Sequence, residues 1–150
     1  MEEIFTRLLI ALFAGLSGWG VYVFLKSLSL KRAQRMAPPL SYPRGTPFIL
    51  YFTTPDCAPC RTVQRPVLQS IKSALGDRFR IVEVNAYEQP ELVQRYGILS
   101  IPTTFVFDSA GVPRFVNHGV ARKELLLQQL QQVMDVEPSS PVSRTSHRVT

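Results

Sequence analysis

The chain is poor in cross-linking and metal-binding residues: its 150 residues include 2 cysteines and 2 histidines. Two cysteines are too few for a scaffold stapled by several disulfides. They are also too few for a four-cysteine zinc or iron–sulfur site, and neither His118 nor His147 stands at a spacing that would complete one. Acidic residues are scarce as well, 11 against 17 Lys and Arg, so the formal net charge is +6. Such a balance raises nucleic acid as a partner. The cations, however, are scattered or sit beside an apolar segment, without the basic and aromatic surface pattern of a nucleic-acid binder. No internal repeat is present.

The two cysteines form one motif, Cys57-Ala58-Pro59-Cys60. Upstream, 48–53 is a short apolar and aromatic run of strand character. Downstream, Val63, Val67, Leu68, Ile71 and Leu75 recur at helical spacing. The dithiol therefore falls at a strand-to-helix junction, with Cys57 at or near the first helical turn. Unpaired N–H groups and the positive end of the helix dipole favour a thiolate there. A purely structural disulfide gains little from closing so small a loop. The residues point to a redox-active pair, with a metal site and an inert pair as the lesser alternatives.

From about residue 45 to 134 the sequence resembles a thioredoxin domain. Cys57-Ala58-Pro59-Cys60 differs by one residue from that family's usual C-G-P-C, and Pro66 falls where its active-site helix carries a kinking proline. The stretch from Tyr96 through Ile101-Pro102-Thr103 resembles the approach to the family's cis-proline. Gly111 matches the hairpin turn and Gly119 the bend before the last helix. The resemblance implies an α/β thioredoxin-like fold, a central mixed sheet of about four strands flanked by helices. It also implies protein-disulfide chemistry without cofactor or metal: Cys57 attacks a client disulfide, and Cys60 resolves the mixed disulfide. Pro102, cis by resemblance, sets the Ile101 backbone beside Cys57 for an extended client segment, and Pro59 restrains the loop between the sulfurs.

The departures from that pattern concern proton transfer. Asp56 stands where the family usually has Trp, and Tyr51 where it usually has a buried Asp. The lysine facing that acid would fall at Ile81, so both members of the buried charge pair are replaced. Glu83, Asp56 or water are the candidate substitutes. Arg61 is expected to favour the Cys57 thiolate and Asp56 to oppose it, unless Asp56 serves as a helix N-terminal acid. Ala58 completes the active-site loop.

The remaining segments read as an anchor, a linker and a tail. Leu8 to Leu25 is an uncharged apolar run. At about 1.5 Å per residue it spans roughly 27 Å, against a hydrocarbon core of about 30 Å. It predicts a transmembrane helix at 4–26, preceded by Glu2 and Glu3 and lacking a prompt cleavage site for a signal peptide. Lys26, Lys31, Arg32 and Arg35 follow it, which by the positive-inside rule puts the redox domain in the cytoplasm, the extracytoplasmic side being the alternative. A basic, Pro-rich linker is expected at 27–46, the thioredoxin-like domain at 47–135 and a disordered polar tail at 136–150. The family's optional first strand and helix are expected to be missing. Within the domain the expected elements are strand 48–53, helix 58–75, strand 79–85, helix 90–96, a hairpin of strands 103–108 and 112–117, and helix 122–134. Leu125, Leu126, Leu130 and Val133 are expected to line its inner face. The function this predicts is a monomeric, membrane-tethered disulfide reductase. Its partners are protein disulfide clients and a separate electron donor, either a thioredoxin-reductase-type enzyme or a small thiol. An extracytoplasmic oxidase or isomerase and a non-catalytic binding module are the rivals.

Overall fold

The computed structural model describes residues 2–34 and 45–135. Its centre is β1 (Phe48–Thr53), whose six residues are all buried. A strand covered on both faces needs an unbroken apolar run rather than an alternating one, and Phe-Ile-Leu-Tyr-Phe supplies it. β1 pairs in parallel with β2 (Arg80–Asn85), from Phe48 opposite Arg80 to Thr53 opposite Asn85. On its other side it runs antiparallel to β3 (Thr103–Phe107), which forms a hairpin with β4 (Pro113–His118). The sheet order is β2-β1-β3-β4. These are the expected strands with ends moved by a residue or two, and Phe79, just outside β2, is still fully buried.

Alternate residues of β1 point to opposite faces, and two cores follow from that period. Ile49 and Tyr51 join Cys60, Leu68, Ile71, Phe79, Val106, Leu126, Leu130 and Val133 beneath α2 (Arg65–Leu75) and α4 (Lys123–Asp135). Phe48, Leu50 and Phe52 join Val84, Tyr96, Phe105, Phe107 and Val116 on the face carrying α3 (Pro90–Tyr96). The second core is strongly aromatic: Phe48 stacks on Phe107 with centroids 4.3 Å apart, and Phe52 lies 5.8 Å from Tyr96. α3 ends at Gly97, whose φ of 62° is the left-handed conformation that releases the chain from a helix. On α4 the expected inner face needs one correction. Leu125 is exposed, and Gln129 is buried in its place. Gln129 exchanges amide hydrogen bonds of 2.9 and 3.0 Å with Asn117 of β4, whose amide also donates to the Thr104 hydroxyl. A buried amide needs such a partner, and this pairing holds Gln129 inside beside Leu126, Leu130 and Val133, which are buried as expected.

The N-terminal region differs more from expectation. α1 runs from Glu2 to Gln34, so the first part of the expected 27–46 linker is helical. Leu30 packs against the second core, and the end of α1 lies against β4 and α3. That face, expected to lack a preceding helix, is therefore covered by one. Among the described residues no helix is long and apolar enough to cross a membrane, so a transmembrane helix at 4–26 is not supported. Leu8, Leu9 and Ala11, on which that expectation leans, lie outside the described side chains. The proline-rich segment 35–44 and the expected tail 136–150 lie outside the described residues.

Candidate active site

The site is built where β1 stops. After Thr53 the chain turns through Thr54, Pro55 and Asp56, and the Cys57 N–H returns to the Thr54 carbonyl at 3.2 Å. Cys57 and Cys60 are joined as a disulfide with Cα atoms 5.2 Å apart. Cys57 is half-buried, Ala58 and Pro59 are exposed, and Cys60 is fully buried. The Cys60 N–H donates to Cys57 Sγ at 3.2 Å, and the Arg61 N–H donates to the Cys57 carbonyl at 3.3 Å. The first helical turn thus directs an otherwise unpaired amide at the outer sulfur, as the strand-to-helix reading expects.

The expected continuous helix 58–75 is interrupted. Cys60–Gln64 form a π turn, in which the Arg65 N–H reaches back to the Cys60 carbonyl, before α2 resumes at Arg65. Pro66 explains the interruption. A proline inside an α-helix lacks an N–H and its ring strikes the carbonyl four residues earlier. Widening the preceding turn places Pro66 in the first turn of the resumed helix, where no N–H is required.

Tyr51, at the position of the expected buried acid, is fully buried and donates its hydroxyl to the Cys60 carbonyl at 3.3 Å. Burial raises its pKa above the ordinary 10.0, a hydrogen bond with Thr53 works against that, and the Glu83 charge adds to it. The facing lysine is indeed replaced, since Ile81 packs among the apolar side chains of the first core. Charge instead lies further out: Arg65 and Glu83 form an ion pair at 2.5 Å, with side chains 42% and 44% exposed. Glu83 stands opposite Tyr51 in the β1–β2 register. The floor beneath Cys60 is therefore phenolic, with its nearest ion pair in partial contact with water.

Across the disulfide, the Ile101–Pro102 bond is cis. Its loop is tied on both sides, by the Thr103 hydroxyl donating to the Ser100 carbonyl at 2.7 Å and by the Gly119 N–H donating to the Pro102 carbonyl at 2.8 Å. Ile101 and Cys57 both pack against the first core, so the C-x-x-C loop and the cis-proline loop each border it. Asp56 does not cap the helix. It accepts the Tyr87 hydroxyl at 2.6 Å, and that bond, first, and the Asp56 charge raise the Tyr87 pKa. Arg61 is exposed and lines a cavity of about 250 Å³ with Arg65, Glu83 and Asn85, closed on the β1 side by Thr53, Thr54 and Pro55.

Two residues of the site went unnoticed in the sequence. Tyr87 gives no signal there, because its reach to Asp56 depends on how two loops meet. Gln64 does give one: it lies four residues after Cys60, so a glutamine falls on the inward face of an apolar helix. It is fully buried, accepts the Ala121 N–H at 2.7 Å and donates to the Ala121 carbonyl at 3.4 Å. This clamp fixes the active-site turn to the chain just before α4. Among the described residues no cluster of His, Cys, Asp or Glu could hold a metal ion.

Comparison with known proteins agrees with this architecture. Thioredoxin 1 of Synechococcus elongatus is 41% identical over 61 residues, covering 41% of this chain and 56% of that protein. Thioredoxin of Alicyclobacillus acidocaldarius is 35% identical over 88 residues, covering 59% of this chain and 82% of that protein. The chain spans about half the length of several of the curated relatives it matches, 56% for Synechococcus elongatus and 44% for the M-type thioredoxin of Chlamydomonas reinhardtii. In fold it is similar to chloroplastic thioredoxin z, with a TM-score of 0.55 and 23% identity over 60% of this chain and 80% of that one. A family profile described as "Thioredoxin-like domain" matches residues 41–134. With that match over most of the chain, the four-stranded sheet, the Cys57–Cys60 disulfide and the cis Ile101–Pro102 bond, the chain belongs to the thioredoxin-like family.

Proposed function

We propose that the protein is a thiol–disulfide oxidoreductase that reduces protein disulfides through Cys57 and Cys60 and is held at a membrane by α1. The observation that carries the reading is the Cys60 N–H directed at Cys57 Sγ at 3.2 Å. A donor there stabilises negative charge on the outer sulfur and leaves the buried Cys60 as the second to react. In the reduced protein the Cys57 thiolate attacks one sulfur of a client disulfide, and the other client sulfur departs as a thiolate. Cys60 then attacks Cys57 Sγ, releasing the second client thiolate and closing the Cys57–Cys60 bond. Two electrons have passed to the client, and a separate donor, a reductase enzyme or a small thiol, restores the dithiol.

Membrane attachment rests on α1. Phe13, Leu16, Trp19 and Phe24 are 61–78% exposed. An apolar surface of this size calls for a partner, and lipid fits its all-round character. Lys26 and the basic residues after it favour the side bearing anionic headgroups, which puts the redox domain in the cytoplasm.

The test is insulin reduction by the full chain in detergent micelles, with dithiothreitol as the electron source. Turnover is expected for the native protein, a mixed disulfide with insulin for Cys60→Ser, and no reaction for Cys57→Ser. Undiminished reduction by Cys57→Ser would leave only a binding module. A potential of about −270 mV fits a reductase, whereas about −120 to −180 mV indicates the oxidase or isomerase of the extracytoplasmic reading. Flotation of the full chain with anionic lipid vesicles tests the tether: a chain that does not float with the lipid would contradict it.

A further inference from the structure

The cavity lined by Arg61, one helical turn after Cys57, has a chemical character that the dithiol mechanism does not use. Its walls come from the loop before Cys57 and from the turns after it, with Arg61 and Arg65 on one side and Asn85 and Glu83 on the other. Residues four apart on a helix are neighbours, with Cβ atoms about 5–6 Å apart. The 3.3 Å bond from the Arg61 N–H to the Cys57 carbonyl places Arg61 one turn below the outer sulfur in just this way. The two cations are differently engaged. Arg65 is neutralised by Glu83 at 2.5 Å. Arg61 makes no side-chain hydrogen bond or ion pair among the described residues. The Asn85 carboxamide is committed to Glu88 and to the Tyr87 N–H, and the Thr53 hydroxyl to the Thr54 carbonyl, so the cavity's open donor is the unpaired Arg61 guanidinium, a group whose fork receives a carboxylate.

We infer that this cavity is a carboxylate-binding subsite for the sulfur compound that exchanges with Cys57, and that its occupant is a small acidic thiol acting as electron donor. The inference rests on the oxidoreductase reading and deepens it. The donor thiolate attacks Cys57 Sγ, the Cys57–Cys60 bond breaks, and Cys60 departs as a thiolate that takes a proton from water. A second donor thiolate attacks the donor's own sulfur in the mixed disulfide, releasing Cys57 as a thiolate and the donor as its disulfide. In the intermediate the donor's carboxylate lies against Arg61, and Arg65 shields it from Glu83.

The experiment compares rates of reduction of the oxidised full chain by 3-mercaptopropionate and by 2-mercaptoethanol, each per thiolate, read by alkylation of the freed cysteines. The acid-to-neutral ratio is the observable. Any general effect of Arg61 on the reactivity of Cys57 acts on both thiols and cancels in it. For a solvent-exposed ion pair, Arg61→Gln is expected to lower the ratio about three- to five-fold. Arg61→Lys keeps most of it, high salt removes it, and Arg78→Gln, a cation lost at the far end of α2, leaves it nearly as it was. A second arm uses disulfide peptides with Glu or Gln beside the cysteine. If Arg61→Gln erases discrimination between the peptides alone, the carboxylate comes from clients and the small-thiol occupant is overturned. An unchanged ratio in both arms overturns the subsite altogether. Loss of reduction by every thiol and of insulin turnover in the native protein would instead sink the oxidoreductase reading.

Discussion

Replacing Gln64 by leucine should destabilise the domain far more than a surface change of the same size. Gln64 is fully buried and holds both backbone groups of Ala121, a residue only 2% exposed, through bonds of 2.7 and 3.4 Å. Leucine fills a similar volume but leaves the Ala121 N–H and carbonyl without partners. Each buried orphan costs about 1–3 kcal/mol, and the longer bond belongs at the low end, so the expected loss is about 2–4 kcal/mol. Gln64→Glu gives the discriminating comparison. Protonated, its carboxyl can accept the Ala121 N–H and donate to the Ala121 carbonyl, reproducing both bonds. Burial raises the folded-state pKa of such a carboxyl above its unfolded value. Its stabilising contribution is then complete below the unfolded pKa and is lost as pH rises through the folded one. Urea unfolding of the full chain in micelles, across a pH series, reads both variants. If Gln64→Leu unfolds within about 0.5 kcal/mol of the native protein, the clamp contributes nothing and the reasoning is refuted.

Other consequences follow from single contacts. Tyr96 is 1% exposed, its hydroxyl lacks a partner among the described residues, and burial pushes its pKa to about 12. Stability should therefore decline as pH rises from about 10, where an unfolded tyrosine ionises. Tyr96→Phe should remove part of that alkaline loss and leave the domain equally or more stable at neutral pH, as thermal unfolding would record. Tyr51→Phe deletes one neutral hydrogen bond to the Cys60 carbonyl, which keeps the Arg65 N–H. It should cost about 0.5–1.5 kcal/mol in urea, and a larger loss would mean that Tyr51 holds more of the turn than this bond. A chain beginning at Ser27 retains Leu30 over the aromatic core and should match the full chain in domain stability. A chain beginning at Ala37 uncovers that core and should unfold at lower urea. Equal midpoints for the two would show that α1 does not support the domain.

What the sequence revealed and what it hid divide along the range of the interactions involved. β1 was legible because a strand buried on both faces is a local apolar run, and β2, α3 and the hairpin were each bounded by glycine or proline. The dithiol and Pro102 were legible as motifs, and their meeting followed from the family resemblance. Leu125 was misplaced because three adjacent leucines, Leu125, Leu126 and Leu127, leave the facing of α4 ambiguous, and a buried polar pair between Gln129 and Asn117 decides it. The π turn was hidden because it is a compromise between Pro66 and the position of Cys60, not a preference of any residue in Cys60–Gln64. Tyr87 on Asp56 and Arg65 on Glu83 join separate segments through the fold, which no spacing encodes. Tyr51 was visible as a departure from pattern, yet only the structure supplied its partner, the Cys60 carbonyl.

The central claim is that Cys57 is an activated nucleophile. It is tested most directly by titrating the Cys57 thiolate in full-length Cys60→Ser, following thiolate absorbance and the rate of alkylation against pH. With the first-turn amide still directed at the sulfur, the account predicts a pKa below the free-cysteine value of about 8.5, with both measurements rising together. A pKa at or above that value, with reactivity no greater than that of a free thiol, would contradict it.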